Sequence, residues 1–329
     1  MKSVLPVGIV SVGAAAPVGV LTNFDLEKIV DTSDEWIRSR SGISSRHIAD
    51  PDSGTSDIAY PASIMALERA QLSPQDIDVI VVATITPDAP LPSTACLLQH
   101  RLGATNAAAF DVAAACTGFI YALSIASAQI ATGQFSNALV LGVDTLSKVT
   151  DFTDRRTCVL LGDGGGAVVL KPVPEGRGLL SFYLRADGSG KELLQIPAGG
   201  SKLPASHETV DQRLHYLQMN GAEVYKFAVR AIEDAITTSL ARAGLTTEDV
   251  TLVFPHQANV RIIEAASKRS AIPAEKWVNN IAQYGNTSAG SIPLALNESY
   301  EAGLLHEGDI YVMVGFGGGL TWGASVMRW

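Results

Sequence analysis

The sequence predicts an α/β protein whose helices pack on mostly parallel sheets, in two similar halves. Short runs rich in β-branched residues alternate with amphipathic stretches of helical period along the whole chain, which is typical of helices packed on sheets. Part of this pattern also occurs twice in the same order. The chain has 329 residues, which is enough for two domains or for one large duplicated unit.

The first expected strand is VGIVSVGA at residues 7–14, within an N-terminal stretch that superficially resembles a signal peptide. Pro6, Pro17 and several glycines interrupt that stretch, so a buried strand is the favoured interpretation and a signal peptide is the alternative. Further strands are expected where β-branched residues cluster, at residues 78–86, 137–146, 167–173, 251–256 and 309–317.

Amphipathic stretches between these strands predict helices, because their apolar residues recur with a helical period. The longest stretch without a regular pattern spans residues 186–211. The expected helices lie at residues 56–70, 119–131, 222–243 and 292–302.

One pair of similar segments indicates a duplication. ALERAQLSPQDIDVIVV at residues 66–82 matches SLARAGLTTEDVTLVFP at residues 239–255 with an offset of 173 residues. Each copy combines a helix end, a capped turn and a strand. The alternative is that junctions of this kind share composition by chance.

A second pair of segments matches at an offset of 170 residues. CTGFIYALSIASAQIATG at residues 116–133 and NTSAGSIPLALNESYEAG at residues 286–303 both read as helices opened by small polar residues and closed by glycine. If the halves are related, Cys116 and Asn286 occupy equivalent helix N-termini. A helix N-terminus can lower the pKa of a thiol placed there.

The composition excludes several classes of protein. A formal net charge of −9 argues against a general nucleic-acid binder, which needs a broad basic face. No apolar run approaches the roughly 20 residues that cross a bilayer. The three cysteines match neither a disulfide framework nor a zinc site, so we expect a reduced, cytoplasmic setting and no metal site.

Three residue types with complementary chemistry stand in distinctive segments. Cys116 begins a helix, His256 follows a buried-looking strand in FPHQAN, and Asn286 lies in YGNTSAG. A strand end of this kind belongs at the carboxyl edge of the sheet, where α/β sites form. A thiolate with imidazole and amide donors can perform covalent acyl transfer. The competing interpretation is that a lone cysteine and a lone histidine are structural core residues.

Five segments in order closely resemble the β-ketoacyl-[acyl-carrier-protein] synthase III family. They are LEKIVDTSDEWIRSRSGISSRHIA, DVAAACTGF, PHQANVRII, YGNTSAGS and GFGGGLTWGA. The resemblance spans nearly the whole chain. It implies the thiolase fold, in which duplicated βαβαβαββ halves form a five-layered αβαβα structure, usually as a homodimer. The halves would be residues 1–172, with the cysteine, and residues 173–329, with the histidine and asparagine.

The resemblance also implies the reaction, a decarboxylative Claisen condensation that starts fatty-acid chains. Cys116 would take the acyl group of acyl-CoA as a thioester, and malonyl-acyl carrier protein would then lose CO₂. His256 and Asn286 would stabilise the resulting enolate, which attacks the acyl-cysteine. The backbone amides of Cys116 and Gly318 would form the oxyanion hole. The resemblance implies no metal or redox cofactor, and acyl-CoA is a substrate rather than a cofactor.

The resemblance further assigns binding surfaces. Arg156 and Ala222 depart from common family residues beside the CoA-contacting positions. Leu91 is at the position that caps the neighbouring subunit's acyl pocket, and its intermediate size leaves acetyl, branched and longer primers open. The implied CoA contacts are Thr32, Trp36, Arg40, Arg155, Gly221, Ala258 and Asn259. The implied carrier-protein docking residues are Arg261, Lys268 and Arg269, which lie on one helical face.

Two other functions stay open from the sequence. One is a related enzyme of specialised metabolism that makes a quinolone, a polyketide starter or an ester with the same three residues. The other is a non-catalytic partner subunit of the same fold. The complete set of Cys116, His256 and Asn286 counts against the second, since a purely structural subunit needs none of them.

The helical face with Arg261, Lys268 and Arg269 also has an alternative interpretation. It can be a solvated surface without a docking role.

Overall fold

The computed structural model describes residues 4–329 and contains two main sheets. The strands are β1 (Val7–Ala15), β2 (Val20–Thr22), β3 (Ser45–His47), β4 (Val79–Ala83), β5 (Ala108–Val112), β6 (Ala138–Thr145), β7 (Asp163–Pro172), β8 (Gly178–Ala186), β9 (Leu194–Gln195), β10 (Gln218–Met219), β11 (Leu252–Pro255), β12 (Ile310–Gly317) and β13 (Thr321–Arg328). The helices are α1 (Asn23–Leu26), α2 (Asp34–Ser41), α3 (Thr55–Ala70), α4 (Thr94–Leu102), α5 (Gly118–Ala131), α6 (His207–Asp211), α7 (Gly221–Ala243), α8 (Val260–Ser270), α9 (Ile281–Tyr284) and α10 (Ser291–Glu301).

The two main sheets have matching strand orders. The first is β1-β7-β6-β4-β5 and the second, read in the same direction, is β8-β13-β12-β11. In the part of the chain that is described, the second sheet has no full counterpart of β5, and a single bridge between Val253 and Trp277 extends it instead. The strand β7 ends at Pro172 and β8 of the second sheet begins at Gly178, while the division of the chain at residue 172 stays a prediction.

The expectation of mostly parallel sheets is wrong. The pairs β4–β5, β4–β6 and β11–β12 are parallel, whereas β1–β7, β6–β7, β12–β13 and β8–β13 are antiparallel. Parallel neighbours need a crossover connection, but antiparallel neighbours do not. In each half the last strand returns beside its predecessor without a crossover helix, and only residues 318–320 separate β12 from β13.

Several equivalent elements of the two halves begin 173 residues apart. The strand β4 begins at Val79 and β11 begins at Leu252, while α5 begins at Gly118 and α10 begins at Ser291. The offset therefore equals that of the first pair of similar segments in the sequence. The duplicated fold is confirmed.

Cys116 and Asn286 are not equivalent positions, which corrects the second sequence alignment. Short 3-10 turns at Ala115–Thr117 and Ser288–Gly290 precede α5 and α10 at the offset of 173, so Cys116 corresponds to Ala289. The alignment at 170 matched the closing glycines instead. It failed because α10 has 11 residues and α5 has 14.

Three buried clusters alternate with the two sheets and produce five layers. The middle cluster contains Phe119 of α5 and Leu296 of α10 between Val140 of the first sheet and Met313 of the second. Helices α3 and α4 cover the outer face of the first sheet, and α7 and α8 cover the outer face of the second. The five-layered αβαβα arrangement is thus confirmed.

The predicted helices are observed to within one residue at both ends. The segment VGIVSVGA forms most of β1, which pairs with β7 and is largely buried, so the interpretation as a strand is confirmed. Among residues 4–329, no helix combines the length and the apolar character that crossing a membrane requires.

Candidate active site

The four residues predicted to carry the chemistry line one cavity of about 960 Å³. Cys116 comes from the first half of the chain, whereas His256, Asn286 and Gly318 come from the second. Cys116 and His256 are buried. Exposed arginines line the same cavity: Arg40, Arg156 and Arg261. The cavity therefore connects a basic surface to a buried thiol.

Cys116 lies in the 3-10 turn that leads into α5. The preceding residue, Ala115, has a left-handed φ of 46°, a conformation that is uncommon for residues other than glycine. Strained backbone of this kind costs of order 1–3 kcal/mol and often occurs where a side chain must be aimed. The turn places the thiol at the N-terminal end of a 14-residue helix.

His256 directly follows β11, as the sequence predicted. Its backbone N–H donates to the Val314 carbonyl of β12 at 2.8 Å, which continues the parallel pairing of the two strands past Pro255. Its ring packs edge-on against Phe316, with centroids 5.3 Å apart. His256 therefore lies at the carboxyl edge of the second sheet, in a fixed orientation.

Asn286 is held by the segment at residues 160–162. Its N–H donates to the Leu160 carbonyl at 2.8 Å, and its carbonyl accepts from the Gly162 N–H at 2.9 Å. The side-chain oxygen of Asn286 accepts from the Ser288 N–H at 2.9 Å. This bond occupies the amide oxygen, so the NH₂ group is the part of the side chain left as a donor.

Glycines at the end of β12 allow a close approach to Cys116. A Cβ atom placed on Gly317 would lie 2.7 Å from the Cys116 nitrogen, which is too close for any side chain. Gly318 is the next residue and lines the cavity. The backbone of residues 317–318 thus lies against the turn that carries the thiol.

Burial controls the protonation of both titratable groups. Burial raises the pKa of the Cys116 thiol to about 12, while the Ser288 hydroxyl opposes that rise and the Asp144 carboxylate adds to it. Burial lowers the pKa of His256 to about 3, opposed by the Ser288 backbone. At neutral pH the cavity of the free protein is therefore lined by a protonated thiol and a neutral imidazole.

Two buried polar residues near the thiol escaped the sequence analysis. The Asp144 Oδ1 atom accepts hydrogen bonds of 2.8–3.2 Å from residues 84–86, and its Oδ2 accepts from the Ala289 N–H at 3.3 Å. Within residues 4–329 the Ser288 hydroxyl has no hydrogen bond of good geometry, yet it lowers the pKa of both Cys116 and Asp144. An aspartate inside the apolar run NALVLGVDTL was the available signal for Asp144.

The predicted CoA-contacting residues separate into two groups. Thr32 and Arg155 do not line the cavity. The Arg155 guanidinium lies 5.3 Å from the centroid of the Trp36 ring, so these two side chains stack directly and must separate to admit an adenine. The cavity is also lined by Arg156 and Ala222. The predicted residues that line it are Trp36, Arg40, Gly221, Ala258 and Asn259.

The predicted docking residues all lie exposed on α8. Arg261 lines the cavity and donates to the Ser39 carbonyl at 2.9 Å. Arg269 forms an ion pair with Glu233 of α7, whereas Lys268 forms no ion pair with any residue from 4 to 329. Leu91 lies apart from this cavity and is 86% exposed.

Comparisons with known proteins agree with one another. Residues 110–188 match the family model for 3-oxoacyl-[acyl-carrier-protein] synthase III, and residues 240–329 match the model for its C-terminal part. The β-ketoacyl-[acyl-carrier-protein] synthase III of Caldanaerobacter subterraneus is 55% identical over 98% of this chain and 97% of its own. The protein of that name from Desulfitobacterium hafniense is 55% identical over 98% of both chains. The crystal structure of 3-oxoacyl-[acyl-carrier-protein] synthase III from Aquifex aeolicus is 47% identical, with a TM-score of 0.91 over 98% of this chain and 100% of that chain.

Proposed function

Because the chain belongs to the β-ketoacyl-[acyl-carrier-protein] synthase III family, we propose that it starts fatty-acid chains by decarboxylative Claisen condensation. The enzyme is an acyltransferase that joins an acyl-CoA primer to malonyl-acyl carrier protein and releases CoA and CO₂. The observation that carries this function is the single cavity lined by Cys116, His256 and Asn286. Relatives at 55% identity bear the synthase III name, which favours fatty-acid synthesis over specialised metabolism and over a non-catalytic subunit.

In the first half-reaction, the sulfur of Cys116 attacks the thioester carbonyl of acyl-CoA. The new carbon–sulfur bond forms first, and the bond to the CoA sulfur breaks afterwards as CoA leaves. The tetrahedral intermediate carries a negative oxygen, and the amides of Cys116 and Gly318 are assigned as its donors. Support for this assignment is the approach of residues 317–318 to Cys116, since preformed donors stabilise a charge as it develops.

In the second half-reaction, the carboxylate of malonyl-acyl carrier protein leaves as CO₂. The electrons of the broken carbon–carbon bond form a thioester enolate, and its carbon attacks the acyl group on Cys116. We assign His256 and Asn286 to stabilise the enolate oxygen. The amide NH₂ of Asn286 supports that role, because its oxygen is already bonded to Ser288. This condensation requires no metal or redox cofactor.

The basic mouth of the cavity suits both carriers of the acyl groups. We assign Trp36, Arg40 and Arg156, which line the cavity, to the nucleotide of CoA, since arginine suits phosphate and indole suits an adenine face. Arg261 and Lys268 offer positive charge to an acidic carrier protein. Thr32 and Arg155 join the CoA contacts if Arg155 moves away from Trp36.

We further assign a cytoplasmic homodimer. The strand β5 pairs only with β4 among the described residues, so its other edge is open to a second sheet. Leu91 is 86% exposed, so its side chain is free to contact a second subunit. Both features fit a dimer in which Leu91 caps the neighbouring acyl pocket.

Intact-protein mass spectrometry tests the first half-reaction directly. The protein is mixed separately with acetyl-, isobutyryl- and octanoyl-CoA, without malonyl-acyl carrier protein. We expect one acyl adduct that maps to Cys116 after proteolysis, and the preferred adduct identifies the primer. Cys116→Ser should abolish the adduct.

Cys96→Ser is the matched control, because Cys96 is an exposed thiol away from the cavity and its loss should leave the adduct unchanged. An adduct that follows Cys96 would show non-specific acylation. Absence of any adduct from all three CoA thioesters would exclude the initiating function and would favour a non-catalytic or carrier-primed relative.

A further inference from the structure

A chain of two buried hydrogen bonds begins at the catalytic histidine. The Nδ1 atom of His256 lies 2.8 Å from the Ser291 hydroxyl, and that hydroxyl donates to the Ser288 carbonyl at 2.9 Å. His256 is 2% exposed, and Ser291 and Ser288 are each 1% exposed. Both hydrogen bonds are therefore screened from water.

The direction of these two hydrogen bonds follows from the Ser288 carbonyl, at which they end. A carbonyl oxygen can only accept, and a serine hydroxyl has a single hydrogen to donate. The Ser291 hydrogen is used on the Ser288 carbonyl, so His256 must supply the hydrogen of the bond between Nδ1 and Ser291. A neutral imidazole carries one proton, which leaves the Nε2 atom with a free lone pair.

We propose that Ser291 is a positioning residue that holds the proton of His256 on Nδ1, so that Nε2 is an acceptor in the free enzyme. The proposal rests on the proposed function, because it concerns how His256 acts in that reaction. The hydrogen bond made by one ring nitrogen decides the state of the other. The packing of the ring against Phe316 keeps Nδ1 directed at Ser291.

This tautomer gives His256 two successive roles. During acylation, Nε2 accepts the proton of the Cys116 thiol as the sulfur attacks acyl-CoA and passes it to the sulfur of the departing CoA, which leaves the imidazole neutral. When the malonyl carboxylate enters the cavity, its negative charge favours protonation of the ring, and Nε2 takes up the one proton that the overall reaction consumes. The imidazolium then carries N–H groups on both nitrogens. Its Nε2–H donates to the enolate oxygen of the decarboxylating malonyl group. Condensation releases the Cys116 thiolate, which recovers the proton from Nε2, so the protons balance over the cycle.

Nitrogen NMR on histidine-labelled protein reads the tautomer without any substrate. The resonances of His256 are assigned by their loss in His256→Ala, among the six histidines of the chain. For wild type at neutral pH we expect a protonated Nδ1 and an unprotonated Nε2. A wild-type spectrum with the proton on Nε2 would overturn the proposal, and this measurement does not depend on a Ser291 variant folding.

The serine itself is tested by Ser291→Ala and Ser291→Thr. Loss of the hydroxyl should move the histidine signals away from the Nδ1–H form. It should lower the rates of acyl-Cys116 formation and of overall condensation roughly 10- to 100-fold, the range found for partners that orient metal-binding histidines. Ser291→Thr keeps the hydroxyl and should restore the wild-type tautomer. An unchanged tautomer in a folded Ser291→Ala protein would contradict the role.

Ser63→Ala is the matched control, because Ser63 is fully buried and its hydroxyl donates to the Ala59 carbonyl on α3 at 2.7 Å, outside the cavity. It should change neither the histidine spectrum nor the condensation rate. The two hypotheses fail separately. A wild-type protein that forms no acyl-Cys116 contradicts the proposed function. A proton on Nε2 of wild-type His256, or an unchanged tautomer in Ser291→Ala, contradicts the role of Ser291 whether or not acylation occurs.

Discussion

The thiol of Cys116 is subject to opposing influences. Burial raises its pKa to about 12, whereas the N-terminus of α5 favours the thiolate through the helix dipole, an effect worth about 0.3–1 kcal/mol in typical cases. Desolvation shifts of several pKa units correspond to larger free energies than that. The resting thiol is therefore protonated, and the first half-reaction needs a proton acceptor in the cavity.

The pH dependence of alkylation at Cys116 follows from this balance. The thiolate is the reacting form, and its fraction rises about tenfold per pH unit as long as the pH stays well below the pKa. We expect the rate of iodoacetamide labelling at Cys116, measured by peptide mass spectrometry, to keep rising at that slope from pH 7 to pH 9. Cys116→Ser identifies the background.

A plateau within this range would contradict the expectation. It would mean that the helix N-terminus and the Ser288 hydroxyl lower the pKa of the thiol by more than burial raises it. Acyl-CoA should protect Cys116 at every pH, because the acylated sulfur is no longer free to react.

The helix α8 presents three cations that are not equivalent. Arg269 is paired with Glu233 on α7, so much of its charge is already neutralised. Lys268 forms no ion pair within residues 4–329, and Arg261 lies at the cavity mouth. An incoming acidic carrier protein should therefore depend mainly on Arg261 and Lys268.

Charge reversal on α8 tests this ranking. Arg261→Glu and Lys268→Glu should each raise the KM for malonyl-acyl carrier protein roughly tenfold at low salt, since a like charge repels the partner, and the effect should shrink as salt screens the surface. The rate of self-acylation by acyl-CoA should fall much less, especially for Lys268→Glu, which lies outside the cavity. Arg269→Glu is the internal comparison and should have the smallest effect of the three. Equal losses in both half-reactions would contradict a docking role.

The bounds of four helices were predicted more accurately than those of several strands. The amphipathic period of α3, α5, α7 and α10 is local information, and their bounds agree with the expectation to within one residue. The strands β5, β8 and β13 and the helices α2 and α4 were missed. The sequence of β13, TWGASVMR, contains few β-branched residues and is a strand because β12 and β8 flank it on both sides.

The candidate site was predictable in its residues but not in their connections. Cys116, His256 and Asn286 stand in motifs that can be read from the chain. Ser291 looks like an ordinary residue at a helix start, and its relation to His256 spans 35 residues of sequence. Such a contact depends on how the start of α10 packs beside the end of β11, which no local pattern encodes.

The two halves of the molecule meet with little free space beside the site. A Cβ atom on Gly142 of β6 would lie 2.2 Å from the Ala289 carbonyl oxygen, and one on Gly290 would lie 2.3 Å from the Gly164 carbonyl oxygen. These glycines let the turn before α10 press against the first sheet. The site therefore forms only when both halves are docked, because the nucleophile Cys116 belongs to the first half and the side chains of His256 and Asn286 belong to the second.

Leu91 extends this dependence to a second subunit. If its exposed side chain caps the neighbouring acyl pocket, Leu91→Trp should shorten the pocket and Leu91→Ala should lengthen it. A pocket discriminates by about 1–3 kcal/mol per methylene. We therefore expect the ratio of octanoyl to acetyl self-acylation to change at least tenfold in opposite directions. Leu304→Trp is the control, because Leu304 is also exposed and outside the cavity lining but follows α10 rather than preceding α4.

A mixed dimer separates a cap on the partner from a cap on the same chain. One subunit carries both C116S and L91W, and the other is wild type, so the only reactive thiol belongs to the wild-type chain. If Leu91 acts across the interface, that thiol faces the tryptophan of its partner and loses octanoyl-CoA as a substrate. If Leu91 acts within its own chain, the thiol keeps the wild-type preference. Mass spectrometry of the purified mixed dimer distinguishes a cap on the partner from a cap on the same chain. A protein that is monomeric in solution would exclude the cap on the partner.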